Sequence, residues 1–83
     1  MNLSILMPEK NFYEGEIVKL TTQDINGSLG ILPNHSPLIT VIQESPICFI
    51  SYDEKEHKAS IEKGILKVNN ENLIILCSEC NWL

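Results

Sequence analysis

Residues 65–78 read Ile65-Leu66-Lys67-Val68-Asn69-Asn70-Glu71-Asn72-Leu73-Ile74-Ile75-Leu76-Cys77-Ser78. Two apolar runs rich in β-formers flank a polar cluster whose asparagines tolerate positive φ. That is the pattern of a β-hairpin. Leu73, Ile75 and Cys77 would point one way, and Ile74 and Leu76 the other. A half-solvated strand needs only one apolar side, so this strand carries an extra one. Either the sheet closes on itself to cover that side, or another subunit covers it.

The same grammar runs outward in both directions. Leu3, Ile5 and Met7 alternate with Asn2, Ser4 and Leu6 and stop at Pro8, which predicts a first strand. Phe12 to Thr22 predicts a second, with Val18 and Leu20 on one face and Tyr13, Gly15 and Ile17 on the other. Asn26-Gly27 is a turn dipeptide, since both residues tolerate positive φ. Ser28 to Leu32 predicts a short strand in which Gly30 marks a bulge or a close backbone approach. Pro33-Asn34-His35-Ser36-Pro37 is a rigid loop. Leu38 to Gln43, Pro46 to Tyr52 and His57 to Glu62 predict further strands, the last two joined by the charged tip Asp53-Glu54-Lys55-Glu56. Cys48, Ile50 and Tyr52 oppose Ile47 and Phe49, a second strand with two apolar sides. Glu79 to Leu83 reads as a tail in which Trp82 either packs or begins a continuation. No window repeats apolar residues at helical spacing. Many short strands with frequent turns indicate an all-β sandwich or barrel, in one domain spanning 1–83.

Composition narrows the function. The 83 residues carry a net charge of −5, and the six lysines are scattered. Nucleic-acid binding asks for a clustered basic patch, so it is excluded as the main role. No apolar run reaches about 18 residues, so direct membrane insertion is not expected. The sequence does not open on a basic region followed by a long apolar stretch, so no secretory signal is expected and the three cysteines read as free thiols.

Four motifs invite chemistry. Gly27 to Thr40 contains two glycines and two prolines. It makes a poor phosphate cradle, because proline has no N–H and no lysine follows. Prolines at 33 and 37 instead preorganise a binding edge. His35 lacks a sequence-evident partner for general-base work and suits a hydrogen bond to its own backbone or to a partner. Cys77-Ser78-Glu79-Cys80 has the spacing of half a zinc site, which Cys48, His35 and His57 would have to complete. Cys77 sits in an apolar strand, where cysteine packs as a small hydrophobe, so no metal or cofactor is assigned. Glu14 and Glu16 share a face and read as solvated strand charges.

Three stretches together carry a family resemblance across nearly the whole chain: MPEKNFYEGEIVKL (7–20), GSLGILPNHSPLIT (27–40) and KGILKVNNENLIIL (63–76). Their order and spacing resemble the N-terminal domain of the F-type ATP synthase epsilon family, called delta in mitochondria. The resemblance implies a small flattened β-sandwich of about ten short strands. It implies a non-catalytic rotor subunit at the foot of the central stalk, which binds the gamma subunit and the c ring and couples ion translocation to ATP synthesis. It implies a peripheral location on the cytoplasmic face of a bacterial membrane, or the equivalent organellar side. The edge from His35 to Thr40 would meet gamma through His35, Ser36, Pro37, Leu38 and Thr40, with Met7 nearby. Asn26, Gly27 and Ser28 would face the c ring, although many members carry an acid where this chain has Ser28. Lys63-Gly64 replaces a more usual Gly-Gly and is expected to alter a bulge. The C-terminal helical hairpin of the family is absent from these 83 residues, so no arm-type inhibition is expected. The alternative is a stand-alone β-sandwich interaction module serving another assembly.

Overall fold

A computed structural model describes all 83 residues and contains nine strands and no helix. They are β1 (Asn2–Met7), β2 (Lys10–Asp24), β3 (Gly27–Ile31), β4 (Leu38–Ile42), β5 (Ser45–Ser51), β6 (Glu56–Ile61), β7 (Gly64–Asn69), β8 (Asn72–Cys77) and β9 (Cys80–Trp82). The tail expected after Ser78 is therefore partly a strand. β9 pairs antiparallel with β6, and Trp82 stands opposite Ala59. There Trp82 packs its ring 4.5 Å from that of Phe12.

One hydrogen-bonded network joins all the strands, and β2 is its hinge. The N-terminal half of β2 pairs with β1, which continues to β8, β7 and β4. Its C-terminal half pairs with β3 on one edge and with β5 on the other, and β5 continues to β6 and β9. Two layers result, and they share β2. The parallel pair β1–β8 ties the two ends of the chain together. The end of β4 returns to β2 at the single pair Asp24–Ile42, so the first layer closes at one corner.

A bulge makes β2 able to serve both layers. The register against β5 shifts between Ile17 and Lys19, leaving Val18 as the extra residue. An extra residue reverses the alternation beyond it and bends the strand. Ile17, Leu20 and Thr22 consequently all face the core. This corrects the simple alternation, which separated Ile17 from Leu20.

The hairpins form where the local chemistry permits. Between β2 and β3 the tip is Ile25-Asn26, one residue earlier than the Asn-Gly dipeptide suggests. The Asn26 N–H donates to Asp24 Oδ1 at 2.7 Å, and Gly27 takes up φ 110°. Only glycine adopts that value without strain. Asn70 supplies the left-handed residue of the β7–β8 turn, with φ 53°. Glu54, with φ 66°, does the same in the β5–β6 turn. Two glycine expectations change. Gly30 pairs regularly with Thr21 and has open space around it, so it marks neither a bulge nor a close approach. Gly64 pairs with Cys77 without a register shift, and a Cβ there would lie 2.7 Å from the Leu76 carbonyl oxygen. Glycine at 64 lets β7 and β8 come together; it does not shape a bulge.

A single core of 17 residues fills the space between the layers. The first layer contributes Leu3, Ile5, Leu66, Val68, Leu73 and Ile75. The second contributes Ile31, Ile47, Phe49, Ala59 and Ile61. Fully burying each large aliphatic side chain contributes about 1.5–3 kcal/mol, which offsets the backbone ordering of so small a domain.

Candidate docking face

The outer side of the first layer is the candidate site. Alternation sends Gly64, Leu66 and Val68 of β7 inward, and Ile65 and Lys67 outward. In β8 it sends Leu73, Ile75 and Cys77 inward, leaving Ile74 and Leu76 outside. In β4 the outward residues are Ile39 and Val41, exposed by 70% and 42%. Cross-strand register then aligns them. Val41 faces Ile65, Ile65 faces Leu76, and Leu76 faces Leu6. Four apolar side chains from four strands stand in one row. Ile65 is 46% exposed and Leu76 50%. The neighbouring row runs Ile39, Lys67, Ile74 and Ser4.

A shallow groove of ≈ 670 Å³ follows the first row, walled by Leu6, Met7, Pro8, Val41, Ile65 and Leu76, with Lys63 at its margin. A smaller hollow of ≈ 460 Å³ adjoins it, between Pro37, Leu38 and Ile39 on one side and Lys67 and Val68 on the other. The rim is charged. Glu14 and Glu16 of β2 stand opposite Ser4 and Asn2 of β1. Both are exposed, as solvated strand charges should be, and Glu16 lies 3.3 Å from the Met1 amine.

The residues expected to contact partners fall around this face in different ways. Met7 lines the groove, as does Pro37 the smaller hollow. His35, half-buried in the loop, donates through Nδ1–H to the Ser36 carbonyl at 2.7 Å. Ser36 and Pro37 are exposed. Leu38 packs against the core, and the Thr40 hydroxyl donates to Asp24 Oδ2 at 3.4 Å. Within that edge, Ile39 and Val41 are the side chains that face outward. Asn26, Gly27 and Ser28 are all exposed at the β2–β3 tip, beside an Ile25 that is itself 73% exposed. The sequence points to Ile74 and Leu76 as a surplus apolar side. It does not reveal that Leu6, Ile65 and Val41 join them, because register across strands is not written in any one strand.

Other clusters offer no comparable site. Cys77 and Cys80 are buried, and the Cys77 thiol donates to the Leu6 carbonyl at 3.9 Å. Burial, with the neighbouring Cys77 thiol, pushes the Cys80 thiol up to about 11. Burial likewise raises Cys77. Thiols held protonated are weak nucleophiles and weak ligands. No group of three or more His, Cys, Asp or Glu side chains is arranged so that it could hold a metal ion. Ser51, His57 and Asp53 do meet, but in the wrong order for a nucleophilic triad. The Ser51 hydroxyl donates its one proton to the Asp53 carboxylate and lies 3.1 Å from His57 Nε2. With its proton committed, Ser51 can only accept from that nitrogen, so His57 is not placed to take the proton away. The Ser51 hydrogen bond holds the Asp53 carboxyl below the usual carboxylate range.

The fold is a two-layered β-sandwich with one apolar outer face and two prolines, Pro33 and Pro37, ahead of β4. Comparison with known proteins shows its family. Residues 1–83 match the family model "ATP synthase, Delta/Epsilon chain, beta-sandwich domain". The ATP synthase epsilon chain of Clostridium kluyveri is 40% identical over 82 residues, 99% of this chain and 62% of that protein. That of Clostridium novyi is 39% identical over 80 residues, covering 96% of this chain and 61% of its relative. In fold, the chain superposes with a TM-score of 0.90 on a chain of the Euglena gracilis mitochondrial ATP synthase in its OSCP/F1/c-ring assembly. That match has 17% identity and covers 96% of this chain and 51% of the other. A chain of the Tetrahymena thermophila mitochondrial central stalk and c ring gives 0.81 at 14% identity, over 96% of this chain and 64% of the other. The chain belongs to the ATP synthase delta/epsilon family and forms its β-sandwich domain. It spans about three-fifths of the length of its Clostridium relatives.

Proposed function

We propose that this domain is a non-catalytic central-stalk piece of a rotary F-type ATP synthase. It docks on the gamma subunit and reaches the c ring, and so helps couple ion translocation to ATP synthesis. The observation that carries the reading is the apolar row Val41, Ile65, Leu76 and Leu6 on the outside of the first layer. An aligned row drawn from four strands is a surface a partner can cover, whereas scattered exposed apolar residues need no explanation. The epsilon-chain relatives supply the assembly in which that partner would be found.

Gamma would cover the groove beside Met7 and the edge from His35 to Thr40, with Ile39 and Val41 as its direct contacts. Prolines at 33 and 37 hold the edge in shape, which lowers the ordering cost of docking. The exposed tip at Asn26, Gly27 and Ser28 would face the c ring, with Ile25 the apolar element of that contact. The location would be peripheral, held at the membrane through these partners. Each docked aliphatic side chain contributes at about 25 cal/mol per Å² buried, most of it offset by lost rotational and translational freedom.

The test is co-expression with the gamma-type and c-type subunits of the same organism, followed by purification through a tag on gamma. The domain is expected to co-elute in equal amount with gamma. Its persistent absence from any gamma-containing complex would sink the reading.

A further inference from the structure

We propose that the surface docking on the first layer carries carboxylates placed against Lys63 and Lys67. The inference rests on the docking reading above and adds the chemistry of the partner.

The chain is acidic, with net charge −5 and only six lysines. Two of the six stand on its apolar face. Lys63 lines the main groove beside Val41 and Ile65. Lys67 lines the adjoining hollow beside Ile39. Register puts Lys67 between two apolar neighbours, Ile39 of β4 and Ile74 of β8. Lys55 and Lys58, on the β5–β6 hairpin, lie within 4 Å of Asp53 and Glu56. No carboxylate comes that close to Lys63 or Lys67. They are free cations inside the footprint a partner must cover.

Covering them has a definite electrostatic consequence. A lysine under a protein surface either reaches out to water along its stem or meets an opposite charge. Lysine is depleted from interface cores because the unpaired ammonium resists desolvation. Four residues of extended strand separate the two lysines by about 13 Å along β7, so their carboxylates would be two side chains and not one. The rim across β1 has the opposite sign, with Glu14 and Glu16. Positive along β7 and negative along β2, the face has a polarity that fixes which way round a partner sits. Such charges act mainly on encounter rate and orientation, whereas the apolar row holds the complex.

The experiment measures association and dissociation of this domain with purified gamma-type subunit at about 50 and 300 mM salt, spanning a fall in screening length. Lys63→Glu/Lys67→Glu is expected to slow association at least tenfold at low salt and to reverse the salt dependence. Lys63→Gln/Lys67→Gln should flatten the salt dependence without reversing it. Lys19→Glu, on the outer face of the second layer, should behave as the parent does. Leu76→Asp serves as the control for the docking reading. Should Leu76→Asp bind as tightly as the parent, the face is not the gamma surface and the reading itself fails. Should Leu76→Asp lose binding while both lysine variants keep the parent's rates and salt dependence, the carboxylate inference is overturned and the lysines simply reach out to water.

Discussion

The two outer faces of this sandwich were built by the same alternation and ended up chemically opposite. Across the first layer the outward row is Val41, Ile65, Leu76 and Leu6. Across the second, the corresponding row is Gly30, Thr21, Cys48 and Lys58. The flanking positions of the second layer include Lys19, Gln23, Ser28 and Glu56, all exposed, with a lone half-buried Ile50 between Lys19 and Glu56. Both layers turn equally apolar sides toward the shared core, so stability does not require the difference. The polar face needs nothing beyond water. On the docking reading proposed above, the apolar face is the one a partner covers.

The largest effect tests what the two layers share. Phe49 is fully buried, with rings of Tyr13 and His57 centred 4.7 and 5.1 Å away. Phe49→Ala should cost about 3–5 kcal/mol, read as a drop in urea midpoint at unchanged slope. A loss under about 1 kcal/mol would mean that the layers do not close on this residue.

The next pair sets the faces against each other. Leu76→Asp on the first layer and Thr21→Asp on the second should each leave stability within about 0.5 kcal/mol of the parent. Only Leu76→Asp should cut gamma binding, by tenfold or more, about 1.4 kcal/mol. Equal losses from both would erase the distinction between the faces.

A third, smaller effect reports on where the layers meet at Cys80. A thiol whose folded pKa is raised stays protonated in the fold while it ionises in the unfolded chain. Its contribution is complete below the unfolded value of 9.0 and declines as pH rises toward about 11. Stability should therefore fall modestly across that window. Cys80→Ala should show a shallower decline than the parent. Tyr13, whose hydroxyl is raised by burial and by Asp53, titrates in both proteins and cancels in the comparison.

The smallest effect concerns the edge. His35→Ala removes the bond to Ser36 and should cost stability less than about 1 kcal/mol, because the bond is exposed. Gamma binding should weaken a few-fold. Full affinity with a lower melting temperature would make His35 a structural residue of the loop.

Much of the strand content was legible in the sequence, since β1 and the β7–β8 hairpin follow from alternation and turn chemistry alone. The misplaced element was β9. Cys80 to Trp82 is too short to show a period, and it becomes a strand because β6 offers it an open edge. The β2 bulge was invisible for a related reason. Nothing in Ile17-Val18-Lys19-Leu20 breaks the local pattern, and the shift arises where β2 passes from one layer to the other.

The amino-acid order by itself determined that the chain is β, where most of it turns, and that β8 has one apolar side too many. Those properties depend on residues within a few positions of each other. Tertiary structure alone decided that Leu6, Val41, Ile65 and Leu76 share one row and that Lys63 and Lys67 stand among them. The cause is hydrogen-bond register: sliding one strand by a single residue turns every side chain over, and the core common to both layers selects which register forms.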